Sequence, residues 1–245
     1  MHVEVVTDPG SDPGSDAGSD AGAPGDRNLP GGGPRRPRDR VFALATPEAA
    51  VVVTTALAHR TPVEGCGHGT GWYLRRLGAH LLARLTDRPE RPIRDCLSDA
   101  IAETAALHGG RCDLALHGTP TASIVAVRLA EGRVDQLVLG PGTILTRRDV
   151  GVVALSDPAR HHHAAGARPS IAADAAHDTT PCRGVHTIAL INGGGAESLH
   201  PDHRPTTIRI LEETGAHGLL AHIRAGELRT ASAHHPVGIV HLRPV

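Results

Sequence analysis

Four short apolar runs, residues 122–129, 134–139, 143–146 and 152–155, follow one another closely, the first three across turns at Glu131-Gly132 and Gly140-Pro141-Gly142. Connections this short join antiparallel neighbours, because a parallel pair needs a crossover of about a dozen residues or more. The middle of the chain is therefore an antiparallel sheet, and the remaining elements must cover it. Residues 41–44 and 49–53 read as two earlier strands around Thr46-Pro47-Glu48, and residues 187–191 and 237–242 as two later ones. Between these groups, Leu74, Leu77, Leu81 and Leu85 recur at helical spacing with Arg75, Arg76, His80 and Arg84 opposite them. Ile93, Leu97, Ala100, Ile101 and Leu107 form a second helical stripe, opened by Pro92 and stopped by Gly109-Gly110. Residues 208–214 and 219–228 read as two further helices. The order predicts an α+β sandwich with helices outside.

Residues 8–38 are rich in Gly, Pro, Ser and Asp and repeat Gly-Ser-Asp at positions 10, 14 and 18. Such a tract has almost no apolar surface to offset its ordering entropy and is expected to be a disordered insert. Residues 1–7 before it read as a first strand with Val3 and Val5 inward. Residues 39–245 are then the folding unit, one domain, with residues 156–186 a His/Ala-rich loop. All 25 basic residues are Arg and the net charge is −1, with no basic stripe, which excludes a general binder of nucleic acid. Phe42, Trp72 and Tyr73 are the only aromatic rings, too few for base stacking. No apolar run reaches the roughly 18 residues of a membrane span, and the start lacks a basic segment followed by an apolar one. The expectation is a soluble cytoplasmic protein with no membrane partner. Cys66, Cys96, Cys112 and Cys182 are widely spaced with no Cys-x-x-Cys pair, so they read as free thiols in no recognisable Cys/His arrangement.

Three stretches carry a family resemblance: Cys66-Gly67-His68-Gly69 through Trp72-Tyr73-Leu74-Arg75-Arg76-Leu77, the helix around Ala100-Ile101, and Gly118-Thr119-Pro120-Thr121-Ala122-Ser123. With the order of elements, they make most of residues 37–243 resemble the metal-dependent protein phosphatases of type 2C, in particular short bacterial members. The resemblance implies a four-layer α-β-β-α sandwich of two mainly antiparallel sheets. It also implies two Mg²⁺ or Mn²⁺ ions held by carboxylates, where a metal-bridging water attacks phosphoserine or phosphothreonine.

The matched positions depart from that chemistry. The family's first Asp falls at Arg38-Asp39-Arg40, where Asp39 serves only if the register slips by one. Its Asp-Gly after the second strand falls at Thr55-Ala56, and a neutral hydroxyl is no substitute for a bridging carboxylate. Its Gly-Asp-Ser falls at Gly140-Pro141-Gly142-Thr143, its Thr-Asp-Gly at Asn192-Gly193-Gly194, and its Asp-Asp at His234-His235. Asp39, Thr55, Gly193, His234 and His235 are thus degenerate equivalents of metal ligands, with no catalytic residue assigned and no cofactor expected. The reading is a pseudophosphatase that binds a protein partner or a phosphoprotein. Two alternatives stand beside it: an active Mn²⁺- or Mg²⁺-dependent serine/threonine phosphatase using displaced Asp39, Asp157 and Asp174, and a His-based module holding Zn²⁺ at His234, His235 and Asp39. The plainer features take plainer readings. Gly67–Gly71 is a helix-opening turn, His161-His162-His163 is compositional, Ser123, Ser156 and Ser232 are strand or turn groups, and Trp72 and Tyr73 belong to the core.

Overall fold

The computed structural model describes residues 2–10, 40–55, 66–110, 112–116, 119–159, 165–197, 199, 201–229 and 235–244. One sheet orders its strands β2 (Val41–Ala45), β3 (Ala49–Thr55), β4 (Ala122–Ala130), β5 (Arg133–Leu139) and β8 (Ala176–Pro181). The other runs β1 (His2–Asp8), β10 (Val237–Arg243), β9 (Val185–Gly193), β6 (Gly142–Arg148) and β7 (Gly151–Ser156). All neighbouring pairs are antiparallel. The helices are α1 (Thr70–Asp87), α2 (Ile93–Ala106), the single turn α3 (Gly194–Glu197) and α4 (Arg204–Arg229).

Strand alternation explains the layers, because successive side chains leave a strand on opposite faces. From β3, Ala49, Val51 and Val53 join the leucines of α1 and the apolar stripe of α2. Ala50 and Val52 face the other way, into a layer shared with Ile144, Ile188, Leu190 and Val240 of the second sheet. That sheet's outer residues, including Leu145, Ala189, Ile191 and Ile239, are covered by Ile208, Leu211, Leu219 and Ile223 of α4. Three apolar layers therefore separate four layers of secondary structure, as the resemblance implies. Among the described residues no helix is long and apolar enough to cross a membrane.

Two ties lock helices to the sheets. Arg128 on β4 pairs with Asp135 on β5 and donates to the carbonyls of Arg88 (3.1 Å) and Arg91 (2.8 Å), fixing the α1–α2 connection. Glu4 on β1 accepts from the Ala216 backbone N–H (2.9 Å), just after α4 breaks at Gly215 with φ 73°. It caps the second half of that helix, and the N–H donated by Ala216 holds the Glu4 carboxyl below its ordinary value.

Several expectations are corrected. Residues 169–181, taken as loop, form a 3₁₀ turn (Pro169–Asp174) and the edge strand β8, whose polar side chains are held by backbone pairing to β5. On β1, Val3 packs partly buried against the layer between the sheets as expected, but Val5 on the same face is 39% exposed at the sheet edge, and Val6 on the opposite face is the buried one, against α4. Leu107 lies just past the end of α2 and is 47% exposed. The tract at residues 11–39 lies outside the described residues.

Candidate functional site

At one corner of the sandwich, the ends of β3 and β4 meet the end of β9. Thr55 is half-buried opposite Ala122, and Thr54 lies opposite Ser123. Thr54 and Ser123 share a hydrogen bond of 3.1 Å between their hydroxyls, and the Ser123 hydroxyl donates to Oδ1 of Asn192. Asn192, fully buried on β9, crosses between sheets: its Nδ2 donates to the carbonyls of Val52 (2.9 Å) and Ser123 (3.0 Å). Its Oδ1 also accepts from the Gly193 N–H at 2.9 Å. Ser123, read as an ordinary strand residue, is thus part of a buried polar bridge, as burial of hydroxyls and amides requires.

Gly193 is enclosed by main chain. Its φ is +84°, its N–H donates to the Pro141 carbonyl (3.2 Å), and the next N–H, of Gly194, donates to the Pro236 carbonyl (3.1 Å). A Cβ on Gly193 would lie within 3.0 Å of that same Pro236 oxygen, and one on Gly194 would run into the Cβ of His235. The structure therefore brings Gly193 and His235 together beside Thr54. His235 is half-buried and its carbonyl accepts from Arg224 at 3.0 Å. Asp39 and His234 lie outside the described residues. Of the displaced acids, Asp157 is fully buried and its two oxygens accept the N–H groups of Gly140 and Ala159, both at 2.9 Å. Asp174 is exposed at the end of the 3₁₀ turn.

A second constellation lies where the antiparallel helices α1 and α2 bring the start of one to the end of the other. Cys66 and His68 precede Gly69, the residue before α1, and His108 and Cys112 follow α2. One donor atom from each of these four residues falls within 4.8 Å of every other, the only such set of three or more His, Cys, Asp or Glu groups among the described residues. His68 Nδ1 lies 3.8 Å from Cys66 Sγ and 3.4 Å from Cys112 Sγ. His108 Nδ1 lies 3.1 Å from the carbonyls of both Thr104 and Ala105; carbonyls only accept, so that nitrogen carries the proton and donates. Trp72 stacks on His68 at 4.4 Å between ring centroids, and His108 stands edge-on to both rings. Cys66 and His108 are buried, Cys112 is half-buried and His68 is exposed; burial pushes the Cys66 thiol up. The Tyr73 hydroxyl, one residue on, donates to the carbonyls of Ala165 and Gly166 (3.0 Å each), and Ala165 bridges to Ala122. This places the cluster at the same end of the sandwich as Thr55, on the helix side. It corrects the reading that no Cys lies in a Cys/His arrangement; the thiols themselves are free, and Trp72, in the first turn of α1, packs partly buried against the core as expected. The signals were the spacings Cys-x-His at 66–68 and His-x-x-x-Cys at 108–112.

No family model and no curated protein matches the sequence. Among solved structures, the chain is similar to PppA, a key regulatory component of T6SS in Pseudomonas aeruginosa, at 10% identity and TM-score 0.61, covering 99% of this chain and 97% of that one. It is similar to the PPM Ser-Thr phosphatase MsPP from Mycobacterium smegmatis in complex with cacodylate, at 14% identity and TM-score 0.58, covering 100% and 99%. The catalytic domain of the serine threonine protein phosphatase PstP, in complex with two manganese ions, gives 11% identity and TM-score 0.59, covering 98% and 96%. At such identities the likeness establishes the fold, that of the type-2C phosphatases.

Proposed function

We propose that this chain is a phosphatase-2C-like domain that works by binding a protein partner or phosphoprotein rather than by dinuclear metal hydrolysis. The observation that carries this reading is Gly193. On the family match it stands where an acid is expected, yet its backbone is left-handed and the Pro236 carbonyl occupies the space a side chain would need. Around it, the Thr54 and Ser123 hydroxyls, the Asn192 amide and the Pro141 and Pro236 carbonyls are each engaged with another protein group, and the half-buried His235 adds an imidazole. Two dications prefer several carboxylates, so this donor set is a poor fit for Mn²⁺ or Mg²⁺. Asp157, the best-placed displaced acid, already accepts two backbone N–H groups, which supports a turn-holding role. We place the domain in the cytoplasm on the same reading.

The test is a calorimetric Mn²⁺ titration of the full chain with a phosphopeptide hydrolysis assay. Absence of binding into the millimolar range, with no Mn²⁺-dependent hydrolysis, is the expected result. Two-site binding at micromolar affinity would overturn the reading and restore the enzyme.

A further inference from the structure

We propose that Cys66, His68, His108 and Cys112 form a structural zinc site, independent of the phosphatase-like corner. Two sulfurs and two imidazoles are the donor set Zn²⁺ takes in closed tetrahedral sites. With Zn–S near 2.3 Å and Zn–N near 2.0–2.1 Å, a regular tetrahedron puts sulfur and nitrogen about 3.6 Å apart. The sulfur-to-nitrogen separations at His68, 3.8 Å and 3.4 Å, bracket that value.

The imidazoles are prepared for the task. His108 donates its Nδ1–H to two helix-end carbonyls, which orients the ring and leaves Nε2 as its ligand atom. His68 is held by the stacked face of Trp72, with Nδ1 toward both sulfurs. One Nδ1 lone pair accepts one good hydrogen bond, so two thiols aimed at it, with a second imidazole lone pair alongside, is an arrangement a cation resolves. Four protein donors fill the coordination sphere and leave no place for a substrate water, so the site is structural rather than hydrolytic. It clips the turn before α1 to the turn after α2, a stretch of chain from residue 66 to residue 112.

The experiment uses the untagged full chain purified from zinc-containing medium. Elemental analysis is expected to find one zinc per chain, falling at least tenfold in the Cys66→Ser plus Cys112→Ser variant and unchanged in His234→Ala plus His235→Ala. Should the cysteine variant fail to fold, wild-type protein stripped with a chelator is titrated with Co²⁺. The expected result is a sulfur-to-cobalt charge-transfer band and tetrahedral ligand-field absorption saturating at one equivalent, reversed by Zn²⁺. Trp72, the only tryptophan, reports in parallel, its emission quenched as Co²⁺ loads. Zinc content that survives loss of both cysteines, a Co²⁺ spectrum without sulfur ligation, or a Cys66–Cys112 disulfide in anaerobically purified protein would each overturn the proposal.

Discussion

Restoring an acid at Gly193 is the sharpest test of how that corner is built. A non-glycine residue in a left-handed conformation costs about 1–2 kcal/mol. The new Cβ also meets the Pro236 oxygen, so the backbone must move, with an overpacking cost of about 1–3 kcal/mol. That movement strains the Gly194-to-Pro236 hydrogen bond, whose loss adds about 1 kcal/mol. Gly193→Asp and Gly193→Ala should therefore each lose about 3–6 kcal/mol, which for a domain of this size lowers the thermal midpoint by about 6–24 °C. Gly132 supplies the control: its φ is +70° but a Cβ there meets nothing within 4 Å, so Gly132→Ala isolates the conformational share. Circular-dichroism melts of the three variants, with Mn²⁺ titrations of Gly193→Asp, make the measurement. If Gly193→Asp melts with the wild type, or binds Mn²⁺ at micromolar affinity, the corner is open and the closure argument fails.

Three further outcomes follow from buried polar groups. Asn192→Leu removes the donor to the Val52 and Ser123 carbonyls and the acceptor of the Ser123 hydroxyl, leaves the Gly193 N–H with the Pro141 carbonyl alone, and should cost about 3 kcal/mol in urea unfolding, at about 1 kcal/mol or more per lost buried bond. Asp135→Ala leaves the Arg128 guanidinium, 5% exposed, without its carboxylate, and should cost about 3 kcal/mol, whereas Thr179→Ala, at a more exposed partner of the same aspartate, should cost under about 1 kcal/mol. The Glu4 carboxyl is lowered from its ordinary 4.5 by the Ala216 N–H, so it stabilises the fold above that value and the contribution is lost as pH falls through the lower folded value. The stability gap between wild type and Glu4→Gln should therefore be full near neutrality and close as the pH falls below the ordinary 4.5 through the lower folded value, measured pairwise at each pH because His217 and His241 face the same carboxylate. A gap that persists in acid would refute the capping role.

How much of this was legible in sequence depends on whether the deciding contacts were local. The leucine face of α1 and the alternation in β3 to β6 are set by spacing within each segment, and the elements lie where that spacing puts them. The two helices expected at residues 208–214 and 219–228 are one run broken at Gly215, which differs only in how the break is counted. The strand β8 carries Ala-His-Asp-Thr-Thr-Pro with no apolar alternation, so its existence depends on the β5 edge it pairs with. The Cys/His cluster was missed for a similar reason: a search for Cys-x-x-Cys looks within a loop, whereas these donors come from two ends of a helical hairpin. Closure at Gly193 was out of reach altogether, since it is imposed by the carbonyl of Pro236 from a distant part of the chain.

The first strand invites one last consequence. β1 is held by its register along β10, from His2 opposite Arg243 to Asp8 opposite Val237, by Glu4 at the break in α4, and by Asp8 accepting from Arg224 at 2.9 Å. Every one of those attachments is noncovalent. The domain is in that sense already a two-piece assembly: a heptapeptide and its receptor. Such an edge is where a split reporter would be cut, and where a competing strand from another molecule would gain a foothold.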